Sequence, residues 1–249
     1  MLVPILLLYV DFMGRLSEAI FGRNSLPESC IIYGGAYIPE RKDWIRSVFD
    51  KWQRIEGYWG RHSYAYRNQR EYLLIFSVYG PPMVLEICSL LKDGGAKKVF
   101  FIGSMGGKDL PVGTIVLPSK VIDKIGYVSA DNPGKQIVQP NEYSLNKMRE
   151  TLAKFKIDYV AGETVAVPCV FHNIQHIQDF VEQEKSVLGV EMETSAFYHY
   201  AQKEGFESYA LLYVSDNRQH DIISKAKDVR DARKKSLKTM TLIATEILR

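Results

Sequence analysis

Three segments of the sequence carry residue types that could do chemistry, and each lies beside an apolar run typical of a strand. Glu191 and Glu193 flank a methionine at the predicted start of a helix. They are either complements to the helix dipole or paired carboxylates of a site. Asp216 follows an apolar strand, where an aspartate serves as a helix cap, a turn residue or a proton donor. Residues 103–107 predict a glycine-rich turn, which is either merely tight or an anion cradle made of backbone amides.

The elements that must position these segments alternate between strands and helices. Runs rich in Val, Ile, Phe and Tyr predict strands at 30–33, 72–78, 98–102, 114–118, 159–167 and 208–215. Apolar stripes at helical spacing predict helices around 44–52, 84–91, 145–155, 193–204 and 237–248. This alternation favours an α/β fold with helices on both sheet faces, in which ligands gather at the carboxyl ends of strands. Because residues 108–118 predict a turn and a strand rather than a helix, the glycine segment does not fit a dinucleotide fold.

Composition restricts the function classes. With 249 residues, 46% hydrophobic and 24% charged, the chain can bury a large core, which excludes disorder, collagen and coiled coil. A net charge of +3 is too small to indicate nucleic acid as the main partner. The basic cluster at 225–238 keeps that alternative open, although a solvated helix face explains it better. Three cysteines without a CxxC pair indicate neither a disulfide framework nor a zinc site, so we expect a cytoplasmic location.

No linker, repeat or low-complexity tract divides the chain, so we expect one domain over residues 1–249, with 1–29 as a divergent N-terminal arm. The apolar run 1–10 is similar to the core of a signal peptide. It has no preceding basic residue, Pro4 interrupts it and Asp11 ends it well short of the roughly 20 residues that a membrane span needs. We therefore expect a buried strand or an extended arm, and no membrane partner.

Taken together and in this order, these segments resemble the nucleoside phosphorylase and nucleosidase superfamily, which includes hexameric bacterial purine nucleoside phosphorylase and uridine phosphorylase. The matching residues are Gly103-Ser104-Met105-Gly106, Glu191-Met192-Glu193 and Ser215-Asp216, with support from 112–116 and Tyr79-Gly80-Pro81-Pro82. The likeness runs from about residue 30 to the C-terminus. It implies a three-layer α/β/α sandwich whose central mixed sheet is partly barrel-like, in a homo-oligomer built on dimers, either a dimer or a hexamer.

The resemblance implies cleavage of the N-glycosidic bond of a nucleoside by ribosyl transfer to phosphate. The transition state of such a reaction is similar to an oxocarbenium ion, so the site must clamp the sugar, present a nucleophile and neutralise the leaving base. By resemblance, Glu193 accepts hydrogen bonds from the ribose hydroxyls, Met192 packs against the sugar, and Glu191 belongs to the same ribose-binding segment. Phosphate is the co-substrate, and neither a metal nor a redox cofactor is implied.

The resemblance also places Asp216 at N7 of a purine, where it donates a proton as the bond breaks. The family pairs this aspartate with an arginine about a dozen residues later. Arg230 matches that spacing best, and Arg233 is the alternative. The polar loop 217–228 then either closes over the base as a lid or is an ordinary surface loop.

The remaining base contacts come from two places in the chain. Phe171 stands where the family has a base-stacking phenylalanine, although a core aromatic is an equally good interpretation. Gln175 and Ser215 complete the expected base site. Uridine phosphorylases usually lack Asp216 and carry an arginine where this chain has Ile177, so a purine is favoured over a pyrimidine.

The phosphate site departs from the family pattern. The residues that the resemblance assigns to phosphate are Gly34, Gly103, Ser104 and, from a neighbouring subunit, Arg54. Ile38 and Phe101 replace two arginines of the pattern, and these side chains supply neither a donor nor a charge. Arg41, Arg61 and Arg67 are nearby arginines that either compensate or are solvated surface charges.

This loss leaves three hypotheses. The protein is a phosphorylase with a rebuilt phosphate site, a nucleosidase that uses water, or a relative that only binds nucleosides. The family's hydrolases carry a water-organising glutamate near the N-terminus, and Glu18, Glu28 and Glu40 have no matching context. A binding-only protein has no use for Asp216 and Arg230 opposite a sugar clamp. We therefore favour the phosphorylase.

Overall fold

A computed structural model describes residues 16–35, 39–55, 61–169 and 174–249 of the chain. The interpretations of the N-terminal run 1–10, Ile38 and Phe171 lie outside these residues. No helix in the described ranges is both long enough and apolar enough to cross a membrane.

Within the described ranges, ten strands belong to one sheet. They are β1 (Ser29–Gly34), β2 (Lys51–Ile55), β3 (Arg61–Arg67), β4 (Arg70–Val78), β5 (Lys98–Gly107), β6 (Ile115–Asp123), β7 (Ile137–Val138), β8 (Val160–Ala166), β9 (Val187–Glu191) and β10 (Glu207–Asp216). The helices are α1 (16–21), α2 (Pro39–Arg46), α3 (Pro81–Asp93), α4 (Tyr127–Asp131), α5 (Glu142–Lys154), α6 (Ile174–Gln183), α7 (Thr194–Lys203) and α8 (Lys227–Ile247).

Part of the sheet closes on itself. The strands β5, β10, β6, β8 and β9 pair in that order, and β9 pairs back to β5, so that five strands form a ring of mixed direction. From β5 the sheet continues outward through β1, β4, β3 and β2, and β7 adds to β6. The expected mixed, partly barrel-like sheet is confirmed.

Helices cover both faces of this sheet. On one face α3 packs against α7, and the Phe101 ring of β5 stacks on Phe197 of α7 with their centroids 5.2 Å apart. On the other face α8 packs against α2 and α5, and it buries Leu237, Met240 and Ile243 in a second apolar cluster. The three-layer arrangement is therefore as expected.

Most of the predicted elements are present. Each of the six predicted strands lies within or overlaps a strand of the structure, and four of the five apolar stripes fall on α3, α5, α7 and α8. The stripe at 44–52 was wrong as a single helix, because α2 ends at Arg46 and Trp52 lies on β2. Trp52 pairs with Ala65 of β3 and packs against the Phe76 ring, so sheet pairing prevails over a helical spacing of apolar residues.

The predicted glycine-rich turn at 103–107 was also wrong, because β5 continues through Gly107. A Cβ on Gly103 would lie 2.6 Å from Leu212 and 2.7 Å from Phe101, and a Cβ on Gly189 of β9 would lie 2.1 Å from the Gly106 carbonyl oxygen. Glycine therefore serves here to let strands and core side chains approach closely. The amides of this segment pair with β9 and β10 and do not form an anion cradle.

Replacing Gly189 by alanine tests this close approach. Gly189→Ala is expected to lower the free energy of unfolding by more than about 2 kcal/mol, because the new Cβ meets rigid backbone. Gly162→Ala on β8 is the matched control, since its Cβ meets the Leu188 side chain at 2.8 Å, and that side chain can move. Urea unfolding measures the free energy of unfolding of both variants. Equal losses of this free energy would contradict the close approach of Gly189 to the backbone of Gly106.

Candidate active site

The predicted site segments meet at one edge of the sheet. The strands β1, β4, β5 and β10 are parallel, so their carboxyl ends share that edge. Val190 of β9 pairs with Gly106 of β5, which pairs on its other side with Asp216 of β10. The Glu-Met-Glu segment and Asp216 thus lie on either side of a residue without a side chain.

Glu191 is buried, with 2% of its surface exposed, and caps α7. Its Oε2 accepts hydrogen bonds from the backbone N–H groups of Glu193 at 2.7 Å and Thr194 at 2.6 Å. Burial raises the pKa of Glu191 to about 7, against these hydrogen bonds, which favour the ionised form. This carboxylate therefore complements the helix N-terminus and orients the residue two positions later through Oε2. Its Oε1 has no hydrogen-bond partner among the described residues, and its expected place in the ribose-binding segment stays a prediction.

Glu193 is 4% exposed, and Gly80 fixes its carboxylate. The Gly80 N–H donates to Glu193 Oε1 at 2.8 Å, at the start of α3. Gly80 has φ 77° and ψ 164°, a backbone conformation essentially restricted to glycine. Burial, and then the nearby charge of Glu191, raise the pKa of Glu193 to about 8. The sequence drew attention to the segment around Gly80 but did not assign it this contact.

Met192 lies between the two carboxylates and points into a small apolar cluster. Its side chain, 8% exposed, packs with valines of β8, β9 and α6, namely Val165, Val167, Val181 and Val187. The methionine therefore anchors the segment that carries Glu193.

A bulge in β10 shapes the surroundings of Asp216. Val214 pairs with Met105 and Asp216 with Gly106, which leaves Ser215 unpaired. The Ser215 hydroxyl lies 2.5 Å from Asp216 Oδ1 and 3.2 Å from the Met105 carbonyl oxygen, and only 2% of Ser215 is exposed. Ser215 thus orients Asp216, and its side chain is already engaged within the protein. Burial raises the pKa of Asp216, which is the direction that a proton donor requires.

The arginine beside Asp216 is Arg233, and the preferred assignment to Arg230 was wrong in position. Arg233 is 8% exposed, whereas Arg230 is exposed. The inward face of α8 carries Val229, Arg233 and Leu237 at helical spacing, and Arg230 falls outside it. The Arg233 charge favours the ionised form of Asp216.

Arg233 also closes the loop at 217–226. Its Nε donates to the Ser215 carbonyl at 2.7 Å, and its Nη1 and Nη2 donate to the carbonyls of Ser224 at 3.2 Å and Asp221 at 2.8 Å. One side chain therefore ties the strand bulge to the loop that follows Asp216.

The Phe101 side chain packs against Gly34 and Gly103, two residues that the resemblance assigns to phosphate binding. Its ring is fully buried and lies 2.5 Å from a Cβ position on Gly34 and 2.7 Å from one on Gly103. Gly103 is therefore enclosed by core side chains, and it does not offer a surface to an anion. Gly34 ends β1 at the site edge, and Ser104 remains partly exposed there.

The nearby arginines lie in different places. Arg54 is exposed on β2, and three strands separate β2 from β5, so Arg54 does not reach Ser104 within its own chain. Its expected role across a subunit interface stays a prediction. Arg67 donates to the Val48 carbonyl and is used by the fold. Arg41 of α2 instead lies at the site edge, with Nη1 4.0 Å from a Cβ position on Gly35.

The base side of the site is described only in part. Gln175 falls in the first turn of α6, and its side chain, like Phe171, is outside what the structure describes. No group of three or more possible metal ligands occurs among the described residues.

A family model for the Phosphorylase superfamily matches residues 57–249. The chain belongs to this superfamily. Among curated relatives, purine nucleoside phosphorylase DeoD-type 1 of Vibrio parahaemolyticus is 25% identical over 183 residues, covering 68% of this chain and 72% of the relative. The Vibrio cholerae protein of the same name is 26% identical over 154 residues, covering 57% of this chain and 61% of the relative.

Solved structures share the fold at lower identity. Uridine phosphorylase from Vibrio fischeri has a TM-score of 0.78 at 18% identity, covering 90% of this chain and 93% of that one. Purine nucleoside phosphorylase from Toxoplasma gondii has a TM-score of 0.72 at 16% identity, covering 92% and 91%. The Campylobacter jejuni 5′-methylthioadenosine/S-adenosyl homocysteine nucleosidase has a TM-score of 0.69 at 17% identity, covering 88% and 97%. Phosphorylases and a nucleosidase thus share the fold of this chain.

Arg233 and Arg230 form a matched pair for testing the loop contact. Arg233→Gln removes the guanidinium that holds the Asp221 and Ser224 carbonyls, so tryptic cleavage after Arg218 and Lys225 is expected to accelerate about tenfold or more. Arg230→Gln is expected to leave these cleavage rates unchanged. Mass spectrometry of the first fragments measures both, and equal rates in the two variants would show that Arg233 does not hold the loop.

The buried carboxyl of Glu193 makes stability depend on pH. Its pKa is raised from 4.5 to about 8, so the native state holds a proton that the unfolded state releases, and the free energy of unfolding falls as pH rises through that window. Glu193→Gln cannot ionise, so its stability relative to the native sequence is expected to increase from pH 5 to pH 8. Thermal unfolding at both pH values measures this, with the exposed Glu150→Gln as the control whose difference stays constant.

Proposed function

We propose that the protein cleaves the N-glycosidic bond of a purine nucleoside by transferring its ribosyl group to phosphate. The observation that carries the proposal is the row Val190, Gly106 and Asp216 across three strands, which brings the buried carboxylate of Glu193 and the partly buried carboxyl of Asp216 to either side of a glycine. The proposal takes residues 1–249 as one domain.

The sugar is held by Glu193. Its ionised carboxylate accepts hydrogen bonds from the 2′ and 3′ hydroxyls of the ribose, while the Gly80 N–H keeps one oxygen in place. The ribose hydroxyls and the Gly80 N–H favour the ionised form of Glu193. A bound nucleoside therefore counteracts the effect of burial, which raises the pKa of Glu193. Glu191 is a positioning residue, since it holds the backbone N–H of Glu193.

The base leaves with a proton from Asp216. As the bond between C1′ and N9 breaks, its electron pair moves into the purine, and Asp216 donates a proton to N7. A phosphate oxygen forms the new bond to C1′, so the products are the free base and ribose 1-phosphate. Ser215 and Arg233 orient the aspartate and the loop that faces the base.

The relatives favour this assignment, and one feature of the chain keeps a second candidate. The matched curated relatives are purine nucleoside phosphorylases. Phe101 stands buried where the resemblance expects a phosphate-binding arginine, which favours water as the acceptor and a nucleosidase as the alternative.

The cysteines bear on the compartment of the proposed enzyme. The described cysteines are free, with Cys30 and Cys88 buried, which suits a reducing cytoplasm.

The exposed Arg54 is free to extend toward the site of a second copy, so we propose a homo-oligomer built on dimers.

Release of free base from a panel of nucleosides tests the reaction and its acceptor. Inosine, adenosine, guanosine, uridine and 5′-methylthioadenosine are each incubated with and without phosphate. Release from a purine nucleoside only in the presence of phosphate is the expected result. Equal release without phosphate would make the protein a nucleosidase, and no release from any substrate would leave only binding.

Substitution of the two acidic groups tests their roles. Glu193→Gln and Asp216→Asn are each expected to lower kcat/KM for the purine nucleoside by about a hundredfold or more, because the first weakens the sugar clamp and the second removes the proton donor. Asp158→Asn, an exposed aspartate before β8, is the control with unchanged kinetics. Near-normal turnover in both site variants would refute the assignment.

A further inference from the structure

A hydroxyl and a guanidinium converge on one point beside Gly35. A Cβ placed on Gly35 would lie 3.2 Å from Ser104 Oγ and 4.0 Å from Arg41 Nη1. Because residue 35 is a glycine, no side chain fills this point. Its φ is +89°, so a larger residue there would have a strained backbone. A donor fork and a hydroxyl facing a side-chain-free space suit a tetrahedral oxyanion.

A small cavity next to this point is lined in part by hydroxyl groups. Arg41, Gly35, Ser77 and Tyr213 are among its lining residues. Tyr213 is 2% exposed, and its hydroxyl interacts with that of Ser104, while the buried Ser77 Oγ has no hydrogen-bond partner among the described residues. Tyr213 of β10 pairs in register with Ser104 of β5, which places the two side chains side by side. Buried hydroxyls normally find a partner, so this cavity suits a polar occupant.

The described residues that line the cavity include two basic side chains and no acidic one. No acidic side chain that the structure describes forms an ion pair with Arg41, whose guanidinium lies 5.8 Å from the centroid of the Tyr213 ring. Lys42 also lines the cavity, with Nζ 5.4 Å from the Phe76 ring centroid. Burial raises the pKa of Tyr213, and the charges of Arg41 and Arg233 act against that rise. An anion is therefore the ligand that this field attracts.

Arg41 is near, in sequence, to one of the two positions at which the family pattern has an arginine and this chain has Ile38 or Phe101. The Phe101 side chain packs into the core between Gly34 and Gly103, so β5 supplies no cation to the site edge. Arg41 stands three residues after Ile38, in the first turn of α2. The helix thus brings a guanidinium to the end of β1 from a different position in the sequence.

We propose that Arg41, together with the hydroxyls of Ser104 and Tyr213, binds the phosphate acceptor. This inference rests on the proposed function, and it assigns the anion site to α2 rather than to the arginine positions of the family pattern. Arg41 acts as the bidentate donor, and the two hydroxyls complete the coordination of the phosphate oxygens.

Direct titration of the protein with inorganic phosphate, without nucleoside, tests the anion site independently of catalysis. Isothermal titration calorimetry is expected to show binding to the unaltered protein and at least about tenfold weaker binding to Arg41→Ala. Arg46→Ala removes an exposed arginine from the same helix and is expected to bind like the unaltered protein. Equal binding to the protein and to Arg41→Ala, or binding to neither, would overturn the proposal.

Steady-state kinetics separates this proposal from the proposed function. In Arg41→Ala the KM for phosphate is expected to rise at least about tenfold, with the KM for the nucleoside within about twofold. Arg41→Lys keeps the charge without the fork, so it is expected to recover part of the loss, and it serves as the test variant if Arg41→Ala does not fold. Phosphate-dependent release with an unchanged phosphate KM in these variants refutes the role of Arg41 alone. Phosphate-independent release refutes the proposed acceptor, while weaker titration of Arg41→Ala would still support the anion site.

Discussion

The burial of two neighbouring carboxylates is the constraint on which the rest of the site depends. Glu191 and Glu193 lie two residues apart with almost no exposed surface, so each needs donors that the fold must supply. Glu191 takes the first N–H groups of α7, and Glu193 takes the N–H of Gly80 at the start of α3. The two helices pack against each other, and the carboxylates fix where both begin. Ionising either group works against burial, which raises both pKa values.

The glycines of β5 decide how closely the other walls of the site approach these carboxylates. Gly106 lies between Val190 and Asp216 and leaves open the space that a side chain would fill, and Gly189 packs against its carbonyl. The bulge at Ser215 then turns the Ser215 carbonyl toward Arg233 and lets the Ser215 hydroxyl orient Asp216. Glu193, which follows β9, and Asp216 of β10 can thus lie on either side of Gly106, because this residue carries no side chain.

The local sequence pattern was sufficient to predict the elements that have one apolar face and the motifs that have a fixed spacing. The stripes on α3 and α5, the apolar strands and the Glu-Met-Glu segment were all readable in the sequence. The strands β2 and β3 were not, because both carry charged residues among their apolar ones and their pairing depends on a neighbouring strand, β3 for β2 and β4 for β3. The helix predicted at 44–52 was wrong for a similar reason. The spacing of Trp52 fits a helix, but its packing partner Phe76 lies on a strand distant in sequence.

The errors within the site have a common cause. Spacing selects Arg230 over Arg233, but only the rotation of α8 against the sheet decides which side chain points inward. Likewise, glycines at 103–107 are compatible with a turn, and only the strands on either side show that they serve close packing. The displacement of Phe101 into the core, with Arg41 taking the site edge, depends on tertiary contacts that a single sequence does not contain.

The ring of strands gives the two sides of the site different resistance to opening. β5 is hydrogen-bonded to β1, β10 and β9, so exposing its amides to exchange with solvent requires disruption of the central sheet. The loop at 217–226 is held to the bulge and to α8 through Arg233, by bonds to two of its carbonyls. Among the described residues, the loop at 217–226 is therefore expected to open at a lower free energy than the wall formed by β5, which opens only with global unfolding. Entry and exit of a ligand can then occur through the loop side on the timescale of a local fluctuation, without loosening the carboxylates.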